Sequence, residues 1–489
     1  MSASFLFYDL ETFGADPRHS RIAQFAAIRT DLELNEVEAP VDILVRPADD
    51  LLPSPTATLI TGILPQRALR EGVNEAAAFA RIAEEMGRAA TCSAGYNSLR
   101  FDDEFVRHGL YRSFHDPYER EWRNGNSRWD LLDALRLMHA LRPEGIAWRQ
   151  RDDGGGTSFK LEHLAEDNGL RIGMAHEALS DVRATIGLAR LFKATQPRLW
   201  DYSLRLRDKR HAASMLDVAT MAPVLHVSQR FPAARLCAAP VVPLARHPQI
   251  ESQVIVFDLG EDPQALLDLP ADAIAARLYV RQADLAQDER RIPLKTVHLN
   301  KSPALVPWAH LRAADFDRLG IDAGEVDARL ARLRHAGPAL AEKVRQVFAR
   351  ERAATQGDAD GALYDGFIGD GDKRLCAQVR GTPPHLLAKA QYAFRDVRLS
   401  ELLFRYRARN WPDALLPAER ERWNAYRRQR LGADDRPGLL GHDFGAFRAE
   451  MSQLRGSGSL DASQRALLDA LELWADAIAR DIATTEAGA

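Results

Sequence analysis

The sequence predicts an α/β domain over residues 1–195, a β-rich unit over 196–350 and a helical unit over 355–485. Three observations carry this. First, apolar runs of strand length near 5–10, 22–30 and 41–46 are followed by helical periodicity near 74–90, 102–111, 130–141, 160–169 and 178–194, the succession expected of an α/β layer. Second, from residue 196 short β-like pieces (Val224–Val227, Val254–Asp258, Thr296–Leu299) alternate with proline turns at Pro240, Pro243, Pro248, Pro263, Pro270 and Pro293. Third, helical spacing returns over Leu330–Val347 and dominates beyond 355, closing with Leu460–Ile482 after Gly456-Ser457-Gly458-Ser459. In that last helix Leu467, Leu468, Leu471, Trp474, Ala475 and Ile478 form an apolar stripe of the kind that packs into a core.

Composition narrows the class. At 489 residues, with 46% hydrophobic and 27% charged side chains, the chain has the make-up of an ordinary globular protein large enough for several cores. The expected setting is cytoplasmic. The first residues lack the basic segment, apolar core and cleavage site of a secretory signal, and no stretch approaches the roughly 18 apolar residues of a membrane span. Cys92, Cys237 and Cys376 are few, odd in number and widely spaced, which predicts buried reduced thiols and neither a disulfide framework nor a zinc site. A formal net charge of −4 excludes a protein that coats polyanions through bulk positive charge; any nucleic-acid binding must use a local basic track.

The chemistry begins in Phe5-Leu6-Phe7-Tyr8-Asp9-Leu10-Glu11-Thr12, where two acids sit two residues apart at the end of an apolar run. On a strand, alternate side chains share a face, so Asp9 and Glu11 project together. Like charges so placed raise each other's cost of ionisation, and a hard divalent cation with oxygen ligands removes it; two solvated acids at a strand end are the bland alternative. A third acid follows the small-residue turn Ser93-Ala94-Gly95-Tyr96, where Phe101, Phe105 and Val106 predict a helix starting near Asp102. Asp102 and Asp103 there also suit the helix dipole, and they compete for one ligand role. Last comes His176-Glu177-Ala178-Leu179-Ser180-Asp181, with His176 in a loop after Gly173 and Asp181 on the following helix. Asp152-Asp153-Gly154-Gly155-Gly156-Thr157 is a linker, since it lacks the lysine and helix of a phosphate-binding loop.

The order Asp-x-Glu, Asp, His-x-x-x-x-Asp resembles the 3′→5′ exonuclease superfamily with four acidic ligands and a histidine general base (the DnaQ-like or DEDDh group). Asp9-Leu10-Glu11-Thr12-Phe13-Gly14, Tyr96-Asn97 with Arg100-Phe101-Asp102-Asp103-Glu104, Asn126-Ser127-Arg128-Trp129-Asp130-Leu131-Leu132-Asp133, and Leu141-Arg142-Pro143-Glu144-Gly145 are similar to bacterial exonuclease I. So are Pro197-Arg198-Leu199, Leu225-His226-Val227-Ser228, Asn300-Lys301 and Leu403–Asn410, so the resemblance spans nearly the whole chain. It implies a ribonuclease H-like exonuclease domain, an SH3-like β-barrel and a helical C-terminal domain. It implies removal of 5′-mononucleotides from single-stranded DNA in repair, recombination and mismatch repair, by a monomer using two Mg²⁺ per active site, with Mn²⁺ able to substitute. Asp9, Glu11, Asp102 and Asp181 would hold the metals, the motif favouring Asp102 over Asp103, and His176 would take a proton from water. Proofreading or RNA-trimming exonucleases share this residue set; a non-catalytic DNA-binding scaffold is a reading of a different class.

For substrate, Arg107 to Arg136 mixes aromatic and cationic side chains as single-strand grooves do. The resemblance favours Arg107, Tyr118, Trp122 and Arg136 as DNA contacts, whereas Trp129 before a helix suits the core. Lys160 stands where a basic residue would reach the terminal nucleotide, a point charge where the family often has arginine; Leu10, Glu11, Thr12 and Phe13 would seat its sugar and base. Arg198, Arg205, Arg207, Lys209 and Arg210, extended by Lys295, Asn300 and Lys301, would line a channel or stand as solvated charges. Arg405, Arg407, Arg409, Arg427, Arg428 and Arg430 either bind DNA or pair with neighbouring acids. The family also docks the acidic tail of single-stranded DNA-binding protein, for which Arg142, Tyr202 and Arg334 are candidates. No membrane association is expected.

Overall fold

A computed structural model describes residues 3–170, 177–278, 280–281, 284–286, 289–349, 358–433, 438 and 442–484. The N-terminal sheet contains β1 (Ser4–Thr12), β2 (Ile22–Thr30), β3 (Val41–Leu44), β4 (Thr91–Gly95) and β5 (Ser127–Asp130) in the order β3-β2-β1-β4-β5. The pairs β1–β2 and β2–β3 are antiparallel; β1–β4 and β4–β5 are parallel. β1 is central because it is apolar on both faces. Phe5 and Phe7 enter one core with the helices α5 (Leu131–Leu141) and α7 (Ala178–Thr195). Leu6, Tyr8 and Leu10 enter another with α3 (Glu75–Gly87) and α4 (Asp102–Arg112). Each fully buried side chain of this kind contributes about 1.5–3 kcal/mol. The same alternation directs Asp9 and Glu11 toward the α7 side, and the register against β2 shifts between Glu11 and Thr12, a bulge that ends the regular ladder at the second acid.

Two expectations change. Ser93-Ala94-Gly95, read as a turn, lies in β4, buried throughout between β1 and β5. Small residues fit because the backbones crowd: a Cβ on Gly95 would stand 2.9 Å from the Tyr8 carbonyl oxygen. The middle domain is a five-stranded antiparallel sheet, β10-β6-β7-β8-β9, of β6 (Val224–Val227), β7 (Ala238–Arg246), β8 (Gln253–Asp258), β9 (Leu294–His298) and β10 (Ala304–Pro307). Pro240 and Pro243, read as turn markers, lie inside β7; the register shifts just after Pro243, and such irregularities are where a strand tolerates a missing N–H.

The expected C-terminal helices are present. The helix Ala462–Thr484 buries Leu468, Leu471, Ala475, Ile478 and Ile482 together with Leu52 of the first domain, as the apolar stripe predicted. Charge also joins the two domains. Asp50, 1% exposed, pairs with Arg409 at 2.7 Å and Arg430 at 3.2 Å. Asp360, fully buried, pairs with Arg409 at 2.6 Å and Arg405 at 3.1 Å. Of Arg405, Arg407, Arg409, Arg427, Arg428 and Arg430, five are thus committed to acids, Arg407 to Glu419 and Arg427 to Asp481 among them; Arg428 makes no ion pair among the described residues. Cys92, Cys237 and Cys376 are buried free thiols, and among the described residues no helix is long and apolar enough to cross a membrane.

Candidate active site

β1 and α7 converge at one end of the sheet. One carboxylate oxygen from each of Asp9, Glu11 and Asp181 lies within 4.8 Å of the others. Asp9 and Asp181 are half-buried and Glu11 is buried. Burial, followed by the charges of Asp9 and Asp181, pushes the Glu11 carboxyl up to about 9. Burial, then Asp102 and Asp181, raises Asp9 well above the usual carboxylate range. Asp102 opens α4 and is likewise raised, first by burial, with Asp103 and Asp130 adding to it. Asp9 and Glu11, whose ionisation the neighbouring acids oppose, form with Asp181 and Asp102 an oxygen-rich site that fits hard divalent cations.

Asp102 and Asp103 separate cleanly. Asp103 is fully buried and accepts from Tyr8 Oη at 2.9 Å, from Arg120 Nη2 at 2.6 Å and from Arg128. Although burial opposes it, Arg120 and Arg128 hold Asp103 well below the usual range. Its oxygens are spent on structure, whereas Asp102 pairs with no cation among the described residues and carries the electrostatic link to Asp9. His176, the expected general base, lies outside the described residues.

The expected substrate contacts divide by exposure. Leu10 and Thr12 are buried beside the acids, and Phe13, 2% exposed, packs with Ala23, Leu51, Ile63 and Ala68. Arg107 is buried, donating to Glu121 at 2.7 Å and Glu104 at 3.0 Å with its guanidinium over the Tyr118 ring. Arg136 is buried against Asp133 at 3.0 Å. Lys160 is exposed ahead of α6 (Leu161–Asp167), 3.2 Å from Glu162. Trp122, 65% exposed, stands over an open trough of about 900 Å³ shared with Arg128, Arg205, Arg207, Lys209 and Asn300. Lys295 and Lys301 line a separate cleft of about 470 Å³. Arg142 and Tyr202 share a cavity of about 370 Å³ with Arg198, Leu199 and His310; Arg142 pairs with Asp315 at 2.6 Å. Arg334 is not among that cavity's lining, and donates instead to the carbonyls of Thr220 and Met221.

Sequence reasoning gave no site role to Arg120, Arg230, Tyr364 or His226, the last quoted only within the segment Leu225-His226-Val227-Ser228. Tyr364, from the C-terminal domain, donates to Glu104 on α4. Nothing in its local sequence marks it, because its partner lies 260 residues away.

Comparison with known proteins covers the chain in three consecutive segments. Residues 6–189 match the family described as Exonuclease, 207–350 the Exonuclease I SH3-like domain and 357–478 the Exonuclease I C-terminal domain. The chain is 44% identical over 477 residues to exodeoxyribonuclease I of Escherichia coli K12, covering 97% of this chain and 98% of that one. The Haemophilus influenzae exodeoxyribonuclease I is 42% identical over 432 residues, covering 88% and 90%. Among solved structures, a moderately thermophilic exonuclease I from Methylocaldum szegediense superposes with a TM-score of 0.91 at 46% identity, covering 98% of this chain and 99% of that one. The E. coli exonuclease I in complex with a dA16 oligonucleotide superposes at 0.92 and 44% identity, covering 98% and 100%.

Proposed function

The chain belongs to the exonuclease I family, and we propose that it is a 3′→5′ exodeoxyribonuclease that degrades single-stranded DNA to 5′-mononucleotides. The observation that carries this is the convergence of Asp9, Glu11 and Asp181 within 4.8 Å, with the charge of Asp102 felt at Asp9, in a chain matched along its length. Crystal structures of the E. coli relative with oligonucleotides support the substrate class. The proposed units are 1–195, 196–350 and 355–485.

Asp9, Glu11, Asp102 and Asp181 would hold two Mg²⁺, with Mn²⁺ able to replace them. Bound divalent ions supply Lewis acidity at the phosphorus and lower the pKa of water. His176 accepts the proton of the attacking water, a task suited to an imidazole near neutrality; this role rests on the family motif. Lys160 holds the terminal nucleotide's phosphate, with Leu10, Thr12 and Phe13 bounding its sugar and base. Arg107, Tyr118, Trp122, Arg136, Lys209, Lys295, Asn300 and Lys301 would form the strand's path, of which exposed Trp122 and the trough beneath it are best suited to stacking and cationic contact. The cavity of Arg142 and Tyr202 is the proposed dock for the acidic tail of single-stranded DNA-binding protein; Arg334 has no part in its lining. The enzyme would act as a cytoplasmic monomer in repair and recombination.

A magnesium-dependent assay on end-labelled single-stranded DNA, duplex DNA and RNA tests the reading. Single-stranded DNA should be consumed from its 3′ end, and Asp9→Ala, Asp181→Ala and His176→Ala should each cost orders of magnitude in rate with the fold intact. Near-normal hydrolysis by the Asp9 and Asp181 variants refutes the ligand assignment; preference for RNA refutes the substrate.

A further inference from the structure

Helix α4 carries Asp102 at its first position and starts without a capping side chain: Phe101 precedes it and makes no side-chain bond to the helix. A polar cap ordinarily fixes such a start and contributes about 1 kcal/mol. Here the two residues after Asp102 take over. Asp103 anchors the turn from within the first domain, through Tyr8, Arg120 and Arg128. Glu104 anchors it from outside. Its Oε1 accepts from Lys301 of the middle domain at 3.5 Å, and its Oε2 accepts from Tyr364 Oη of the C-terminal domain. Arg107, one turn along, donates to Glu104 at 3.0 Å and to Tyr364 Oη at 3.2 Å. Side chains of all three domains thus meet on one carboxylate, two residues from a proposed metal ligand.

The C-terminal contribution is a strap that follows α4 from its end to its start. Asp358 and Asp360 are tied down by Arg405 at 2.7 and 3.1 Å. Tyr111 Oη, in the last turn of α4, donates to the Ala359 carbonyl at 3.1 Å. His108 meets the Tyr364 ring edge-on at 5.8 Å, and Tyr364 then reaches Glu104 in the first turn. Its neighbour Leu363 is 4% exposed in an apolar cluster, whereas Tyr364 is 54% exposed. A ring so placed gains little from burial, so the hydroxyl is what this position uses.

We infer that Tyr364 is a positioning residue for the metal site: through Glu104 it fixes the first turn of α4, so that the C-terminal domain sets where Asp102 stands. The inference rests on the reading of Asp102 as a ligand. Removing an outer partner of a metal site typically weakens metal binding by about 10–100-fold. Tyr364 acts through one residue more, which places its effect at the lower end of that range.

Titration of Mn²⁺ into the metal-free full chain, followed by the EPR signal of the free ion, tests this without hydrolysis. Tyr364→Phe, which removes one oxygen, should weaken Mn²⁺ binding about tenfold. Its Tm, and its Kd for a labelled oligothymidylate in EDTA, should stay unchanged. Glu104→Ala should give the same loss, and the double variant no more. Glu104→Gln keeps an acceptor for the hydroxyl and should retain most of the affinity. Should Glu104→Ala fail to fold, Tyr364→Phe and Glu104→Gln decide alone. Asp102→Asn separates the two readings. Unchanged Mn²⁺ affinity in that variant refutes the ligand assignment, and this inference with it. A loss in Asp102→Asn with none in Tyr364→Phe overturns the positioning role alone. Weaker oligonucleotide binding by Tyr364→Phe, with Mn²⁺ affinity intact, assigns the hydroxyl to the strand and refutes the positioning role.

Discussion

Glu11→Gln should make the metal-free protein more stable, and increasingly so as pH rises. The Glu11 carboxyl titrates near 4.5 in the unfolded chain and is pushed up to about 9 in the fold, first by burial and then by Asp9 and Asp181. Below pH 4.5 the group is protonated in both states and contributes nothing. Between the two values folding must take up a proton, and stability falls as pH rises. At pH 7 the gap of about 2.5 units corresponds to roughly 3 kcal/mol at 1.36 kcal/mol per unit. Glutamine keeps the shape and hydrogen bonding of the protonated acid, so the variant escapes this cost. With about 2–4 °C per kcal/mol for a domain of this size, the midpoint should rise by about 6 °C or more at pH 7 and by little at pH 5. Thermal unfolding in EDTA across that range is the assay. Mg²⁺ should then stabilise the wild type more than the variant, erasing the difference. A gain that is independent of pH, or a loss at pH 8, would show that the acids do not oppose one another as their geometry requires.

Three further outcomes follow from packing and charge. Gly109→Ala should destabilise by about 2 kcal/mol or more in denaturant titration, because the new Cβ would stand 1.8 Å from Cζ of the fully buried Phe79; a change within error would mean that the α3–α4 contact yields freely. Arg128→Gln leaves Asp103 with Arg120 as its remaining ionic partner in a fully buried site, and should cost about 3 kcal/mol, read by the same titration. Strand binding should take up a proton above pH 7, since burial and then Arg230 hold Lys295 down to about 7 and a bound phosphate would raise it again. The neighbouring His226 and His298 are held below the usual imidazole range by burial and so stay neutral there, while Arg230 and Arg100 oppose the Lys295 charge and Asp133 and Asp258 partly offset them. Calorimetry in buffers of different ionisation enthalpy reads this uptake, and Lys295→Met should abolish it.

The ligand acids were legible because strand alternation is local: two residues of spacing put Asp9 and Glu11 on one face whatever surrounds them. Helix α4 was legible from Phe101, Phe105 and Val106. Distinguishing Asp102 from Asp103 needed a motif, since their roles are set by Arg120 and Arg128, residues that only the fold brings beside them. β4 was missed because Thr91–Gly95 is enclosed on both sides by neighbouring strands, so it shows small residues instead of an alternating pattern. β7 was missed because Pro240 and Pro243 punctuate it. Arg405, Arg409 and Arg430 looked equally suited to DNA and to acids, because their partners Asp50 and Asp360 are distant in sequence and carry no local sign of burial, whereas Arg407 pairs with the nearby Glu419.

Those pairings also set an order of assembly. The residues that neutralise Asp50 lie 359 and 380 positions further along the chain. At about 5–20 residues per second, the ribosome delivers them roughly 20 to 80 s after Asp50 itself. Through that interval the first domain must keep this acid hydrated, and the surface later covered by the closing helix must stay open. The nuclease unit therefore completes its exterior only after residues 409 and 430 have been made, so the domain that carries the acids must wait for a later one to close over it.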